Sequence, residues 1–171
     1  MSIRPLLTAL ALSLFASAAH ADAERTFWEI TSDGVYAMVG AGELAMALDG
    51  REGRQAALQG LEALAAQGAA TELLKWTVRE KRPNRREFDS FPSLHASTAF
   101  CMAEVIRQYD PHWAPYAYVG AGLIAASRVQ LDEHHWQDVL AGAALGYVSG
   151  HYLAKHHVSI TPRSLAVSFN F

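Results

Sequence analysis

Apolar positions recur along this chain mostly at intervals of three and four, the spacing of helices that bury one face. Gly34 to Leu48 follows that pattern, interrupted by Glu43 and closed by Asp49-Gly50. Gln55 to Lys81 is rich in Ala, Leu, Gln and Glu, which favour helix. Gly60 and Gly68 are candidate kinks within it, and Arg82-Pro83-Asn84 is the expected stop.

A third helix is predicted from Pro92-Ser93, because proline suits a first turn, with Leu94, Thr98, Cys101 and Val105 on its inner face. Asp110-Pro111-His112 reads as a turn. Ala114 to Arg128 forms a fourth helix, and His134 to about His156 a fifth, with Asp132 as its N-cap. Asp22 to Asp33 reads as an irregular lead-in. The tail from Ser164 alternates Leu165, Val167, Phe169 and Phe171 with polar residues, which suggests one short strand or an extended clasp. The expected fold is therefore all-α: one compact bundle of five or six helices with that tail appended.

The first residues carry a different signal. Arg4 precedes an almost wholly apolar run from Leu6 to Ala16, and Ala19-His20-Ala21 fits a small-x-small cleavage site. The reading is a signal peptide over residues 1–21, removed on export, and a single domain over 22–171; an uncleaved N-terminal helix is the alternative. Half of the chain is apolar, which excludes a disordered protein. The formal net charge of −3 becomes −4 once Arg4 is removed, which argues against a general nucleic-acid binder. Yet six of the fourteen basic residues (Lys75, Arg79, Lys81, Arg82, Arg85 and Arg86) crowd one short stretch. Cys101 is the only cysteine, so no internal disulfide forms, and its apolar neighbours mark it as a buried thiol.

Three separated segments hold groups suited to phosphate chemistry. Lys75 and Arg82 stand seven apart, two helical turns, and can share a side. Arg82 and Arg128 can grip phosphoryl oxygens in bidentate fashion while Lys75 adds a point charge. Ser93, Leu94 and His95 fall at a helix N-terminus, where free N–H groups favour an anion; on this segment alone an ordinary N-cap is the simpler reading. His134 and Asp138 stand four apart, so on a helix the carboxylate can hydrogen-bond the imidazole and fix its tautomer. That face continues through Ala141, Leu145 and Tyr152. A satisfied structural histidine, or half of a metal site, would give the same spacing. His135, His151, His156 and His157 form no recognised ligand pattern, and Trp76, Phe91 and Trp136 beside the motifs read as core.

Together these segments resemble the three signatures of the type-2 phosphatidic acid phosphatase superfamily, which also includes bacterial acid phosphatases and vanadium haloperoxidases. The family pattern is Lys-x6-Arg-Pro, Pro-Ser-Gly-His and Ser-Arg-x5-His-x3-Asp. The first and third match at every position, and the second departs once, with Leu94 in place of glycine. The resemblance implies a phosphatase of lipid or soluble monoesters that needs no metal or other cofactor. Lys75, Arg82, Ser93, the N–H of Leu94 and Arg128 would bind the phosphoryl group. His134 would attack phosphorus, Asp138 would orient its ring, and His95 would protonate the leaving oxygen and later activate water.

Other readings from the same residues are an integral-membrane lipid phosphatase, a vanadate-dependent haloperoxidase and a non-catalytic phosphate binder. The apolar runs at Ala114 to Ser127 and Val139 to Gly150 are shorter than the ~20 residues of a span. The expectation is thus a periplasmic protein, soluble or associated with a membrane surface.

Overall fold

In a computed structural model, which describes residues 4–154, 158–161 and 164–167 and side chains from 22 to 154, the chain is a bundle of five α-helices. They are α1 (Arg4–Leu48), α2 (Gly50–Val78), α3 (Leu94–Tyr109), α4 (Ala114–Gln130) and α5 (Trp136–Leu153), with a 3-10 turn at Pro111–Trp113. Two short strands, β1 (Val158–Thr161) and β2 (Ser164–Val167), pair antiparallel after the bundle. The tail is thus a hairpin where one strand was expected. Phe169, Phe171, His156 and His157 lie outside the described residues.

α3 is the axis of the bundle. Its residues enter all three apolar clusters: Cys101, Met102 and Val105 in one, Ala99 and Ala103 in another, Ala96 in the third. Burial on nearly every side explains why this helix is built from small residues: only they let four neighbouring helices close around it. The Cys101 thiol is fully buried, and burial pushes its pKa up to about 12, so it is inert as expected.

The closest approach is between α3 and α5. A Cβ on Gly142 would lie 2.4 Å from the Ser93 carbonyl oxygen, one on Gly146 2.0 Å from that of Ser97, and one on Gly150 2.8 Å from that of Cys101. Three glycines spaced by four therefore lie on three backbone carbonyls spaced by four. Asp138 continues the same stripe, and its carbonyl accepts the Ser93 N–H at 3.0 Å. The inward face is thus Asp138, Gly142, Gly146 and Gly150, where Ala141, Leu145 and Tyr152 were expected beside Asp138; Tyr152 is exposed. Hydrophobicity misled here because a contact this close selects absence of side chain.

Further down α3, the buried Glu104 carboxylate is held by Arg107 at 2.7 and 2.5 Å, by the Tyr118 hydroxyl at 2.5 Å and by His151 Nδ1 at 2.9 Å. This network ties α3 to α4 and α5 and accounts for His151.

Element boundaries depart from expectation in three places. Residues 22–33 are helical within α1. Arg25 Nε donates to Glu29 Oε1 at 2.9 Å, and the apolar stripe reaches back to the buried Ser32 and Val35. α2 begins at Gly50, runs through Gly60 and Gly68, and stops at Val78, where Arg79 turns left-handed (φ 49°) and its N–H caps the Lys75 carbonyl. α5 begins at Trp136 with His135 as N-cap; Asp132 instead occupies a left-handed turn (φ 55°).

Trp76 and Trp136, read as core, are 77% and 61% exposed. They are not alone. Leu44, Leu58, Leu61, Val119, Leu123, Leu140 and Val148 also face outward, so the bundle presents apolar side chains around much of its girth. No helix among the described residues is long and apolar enough to cross a membrane.

Replacing Gly146 with alanine should destabilise the protein by about 1–3 kcal/mol through overpacking. Helix propensity alone would favour alanine by about 1 kcal/mol. Denaturant unfolding of Gly146→Ala distinguishes these signs, and a stabilised variant would refute the backbone-on-backbone contact.

Candidate active site

All three motifs meet at one end of the bundle, where α2 and α4 finish and α3 and α5 begin. Lys75 lies in the last turn of α2 and is buried. Arg82 follows in the loop, not on the helix, because α2 ends four residues earlier. Loop residue Asp89 reunites them: Arg82 Nε and Nη2 donate to its two carboxylate oxygens at 2.7 and 2.8 Å, and Lys75 Nζ lies 3.8 Å from Oδ2 and bonds the Asp89 carbonyl. Arg82 also pairs with Glu133, and with Glu87 at 3.1 Å. The cation thought free to grip phosphate is therefore already held by carboxylates. Its hydrogen bond to Asp89 keeps the Arg82 pKa raised, and Arg82 in turn holds that of Asp89 down.

Arg128, near the end of α4, is set differently. Nη1 donates to Ser32 Oγ of α1 at 2.7 Å and Nη2 lies 3.8 Å from Glu133, while Nε is buried with no partner. Burial lowers its pKa, opposed by Glu133. A buried guanidinium N–H without a protein acceptor is costly, and it leaves Arg128 a donor to offer an anion.

At the start of α3, Ser93 is the N-cap, and its Oγ accepts the Ala96 N–H at 3.5 Å. Leu94 and His95 are the first helical residues, and first-turn N–H groups have no intrahelical acceptor. Leu94 is helical and is absent from the residues with positive φ. The position thus needs no glycine geometry, and leucine presents the same N–H to an anion.

His134 lies before the α5 N-cap, so it and Asp138 are not one helical turn apart on a shared face. Its Nδ1 donates to the Ser90 carbonyl at 2.7 Å, and the Asp138 carboxylate is 3.9 Å away. A carbonyl only accepts, so the neutral ring carries its hydrogen on Nδ1 and leaves the Nε2 lone pair free. The expected hydrogen bond from Asp138 is replaced by a relay: Ser90 Oγ donates to Asp138 Oδ2 at 2.5 Å while the Ser90 carbonyl holds the ring. Asp138 also accepts the His135 N–H at 2.8 Å.

Both histidines are kept neutral. His134 is lowered to about 3, first by burial and then by Lys75 and Arg128; His95 is lowered to about 4 by burial and Arg128. The same cations act on both rings, so the electrostatics independently gather the motifs into one site.

Ser32, Asp89, Ser90 and Glu133 were not anticipated. Nothing in their spacing distinguishes them, and they act by joining motif residues from other segments. Tyr36 of α1 was also missed; its ring meets His95 edge-on at 6.1 Å. Beside that contact an apolar groove of about 320 Å³ runs between α1 and α3, lined by Val35, Val39, Leu94 and Thr98 as well as His95. A larger groove of about 730 Å³ lies between α1 and α4 and touches none of the motif residues.

Among known proteins, the chain is 31% identical over 91 residues to a lipid A 1-phosphatase of Porphyromonas gingivalis. That match takes in 51% of this chain but only 20% of the relative, so this chain spans about a fifth of the relative's length. The fold is similar to the crystal structure of a transmembrane PAP2-type phosphatidylglycerolphosphate phosphatase from Bacillus subtilis. The TM-score is 0.55 at 21% identity, covering 90% of this chain and 95% of the other. The PAP2 superfamily model matches residues 56–160, which include every motif residue described above, and the chain therefore belongs to the PAP2 superfamily.

Proposed function

We propose that this phosphatase cleaves phosphate monoesters of apolar alcohols through a phosphohistidine on His134. The observation that carries the reading is the buried, unpartnered Nε of Arg128 beside a neutral histidine whose Nε2 is free. A phosphoryl group bound by Arg128, by Lys75 and by the N–H groups of Leu94 and His95 supplies the missing acceptor. Its negative charge raises the proton affinity of His95, which burial and the Arg128 charge lower. Nε2 of His134 attacks phosphorus as the P–O bond to the alcohol breaks, and His95 gives its proton to the departing oxygen. His95 then takes a proton from water, whose oxygen attacks phosphorus and releases neutral His134 and phosphate. Fixed cations stabilise the charge on the equatorial oxygens in both steps.

The groove beside His95 supports an apolar leaving group, since it opens where the departing oxygen must be protonated. Lipid phosphates fit that description, and the two relatives above act, by their names, on lipid A and on phosphatidylglycerolphosphate. The outward-facing leucines, valines and tryptophans support association with a membrane surface. We place the protein in an exported compartment on the signal-like start, with cleavage after Ala21; the N-terminal residue of the purified protein tests this.

His134→Ala should abolish turnover while far-UV circular dichroism is unchanged, and the parent, quenched in mid-turnover, should carry acid-labile phosphate that the variant lacks. Activity should survive chelators and be inhibited competitively by vanadate. Restoration by a divalent metal after chelation would refute the reading.

The pH optimum should be acidic. Only one proton is needed between substrate and His95; phosphate monoesters lose theirs near pH 6, and His95 holds one poorly above about 4. kcat/KM should fall above about pH 6 and collapse only as His134 protonates near 3. An optimum above pH 8 contradicts this assignment.

Leu94→Gly should extend activity to bulkier esters and leave the rate on a small ester within a few fold, because the isobutyl group lines the groove and the N–H is unchanged. A uniform large increase would show that leucine distorts the phosphate cradle. Asp89→Asn should tighten inorganic phosphate on the order of tenfold, about 1.4 kcal/mol, because the carboxylate competes for Lys75 and Arg82. Weaker binding would show that Asp89 only positions Arg82.

A further inference from the structure

Next to the catalytic centre, the loop after α2 and the entrance of α5 bring together three side chains of metal-ligand type that the hydrolytic reaction does not use as a set. His135 Nδ1 is 3.2 Å from Asp138 Oδ2 and 3.4 Å from Glu80 Oε1. One ligand atom from each lies within 4.8 Å of the other two, the only such group of three among the described residues. In tetrahedral zinc, with bonds of about 2.0–2.2 Å, neighbouring ligand atoms stand about 3.3–3.5 Å apart. Two edges of this triangle already have that length.

A separate observation points to a cation. Asp138 is completely buried, and while Oδ2 accepts from Ser90 Oγ and the His135 N–H, Oδ1 is buried without any hydrogen-bond partner. A Glu80 carboxylate oxygen lies within 4.8 Å of the Asp138 carboxylate. Two neighbouring carboxyl groups, one with a buried oxygen that no donor meets, favour a proton or a metal ion between them. An imidazole nitrogen in the set and the small ligand number suit zinc better than magnesium or calcium, which take six or more oxygens. The side chains of His135 and Glu80 are 37% and 39% exposed, so an ion has a path from solvent and an open coordination position.

We propose that Glu80, His135 and Asp138 form a zinc-binding site at the margin of the catalytic centre, and that a bound zinc ion inhibits the phosphatase. Inhibition follows from the relay through Ser90. Drawing the Asp138 carboxylate toward Glu80 to close the third edge pulls on the Ser90 hydroxyl, whose backbone carbonyl fixes the His134 ring at 2.7 Å. The inhibitory half of the proposal rests on the phosphatase reading; the binding half does not.

Chelator-stripped full-length protein is titrated with zinc chloride in phosphate-free buffer, by calorimetry for binding and by ester hydrolysis for activity. The parent should bind one zinc ion per chain and lose activity in proportion to occupancy, with recovery on adding chelator. Magnesium should do neither. His135→Asn, which keeps a good N-cap, and Glu80→Gln should each retain the parent's activity in chelator and weaken both zinc binding and inhibition at least tenfold. Absence of a zinc isotherm, or variants that bind and respond like the parent, would overturn the site. Zinc bound at these residues without loss of activity would overturn the inhibitory relay. A parent inactive on every ester would sink the functional reading, while the isotherms of parent and variants still decide the site.

Discussion

The catalytic end of this molecule depends on how closely α5 lies on α3. Gly142, Gly146 and Gly150 let one helix rest on the carbonyls of the other, and the Ser93 N–H to Asp138 carbonyl bond closes the stripe at the active end. That bond joins the second motif to the third through backbone alone. An outward shift of α5 of even a methyl's width would separate the α3 N-terminus from the His134 turn, because both hang from the same stripe. Packing and chemistry are thus one constraint, and the small residues of α5 belong to the site although they touch no substrate.

The second organising feature is an excess of cationic charge that the protein balances with carboxylates. Burial first, and then the charges of Lys75, Arg82 and Arg128, suppress protonation of both histidines. In the proposed mechanism this serves the nucleophilicity of His134 directly. For His95 the same proposal sets a condition: the proton needed for the leaving group is held only when an anion has entered, so the acid is armed by its substrate. Asp89 and Glu133 occupy Arg82 in the meantime, and Ser32 reaches from α1 to steady Arg128. Unlike the other two cations, Arg128 retains a buried donor with nothing to bind, which makes it the strongest structural pointer to phosphate.

The motifs were legible because they are short, polar and fixed in spacing, and the eight candidate site residues drawn from them gather at one end of the bundle. Their geometry was less so. Reading His134 and Asp138 as helical neighbours assumed a helix beginning at His134; the chain instead starts α5 two residues later, and a backbone carbonyl does what the carboxylate was expected to do. Similarly, Lys75 and Arg82 meet through a loop aspartate and not along a helix face. Periodicity found helices but not their ends, since those are set by local turns at Arg79 and Asp132 that non-glycine residues seldom adopt. Burial was misjudged where it mattered most. The inner face of α5 is glycine, and several of the largest apolar side chains face outward. The spacing of apolar side chains cannot reveal a contact made by having no side chain.

Leu94 shows how one departure from a family pattern can be absorbed. A phosphate cradle made from a helix N-terminus asks for N–H groups and a negative φ, and leucine satisfies both. What glycine offers besides is space. By filling that space, leucine converts part of the cradle's rim into a wall of the apolar groove shared with Val35, Tyr36 and Val39 of α1. On the proposed function, recognition divides by chemistry: the phosphoryl end is read by backbone and fixed cations, and the alcohol by side chains that can vary without disturbing them. α1 contributes to both halves, through Ser32 on Arg128 and Tyr36 on His95, one helical turn apart. On the proposed function, a rigid turn of α1 sets the distance between the phosphate and the start of the groove, and this length selects among leaving groups.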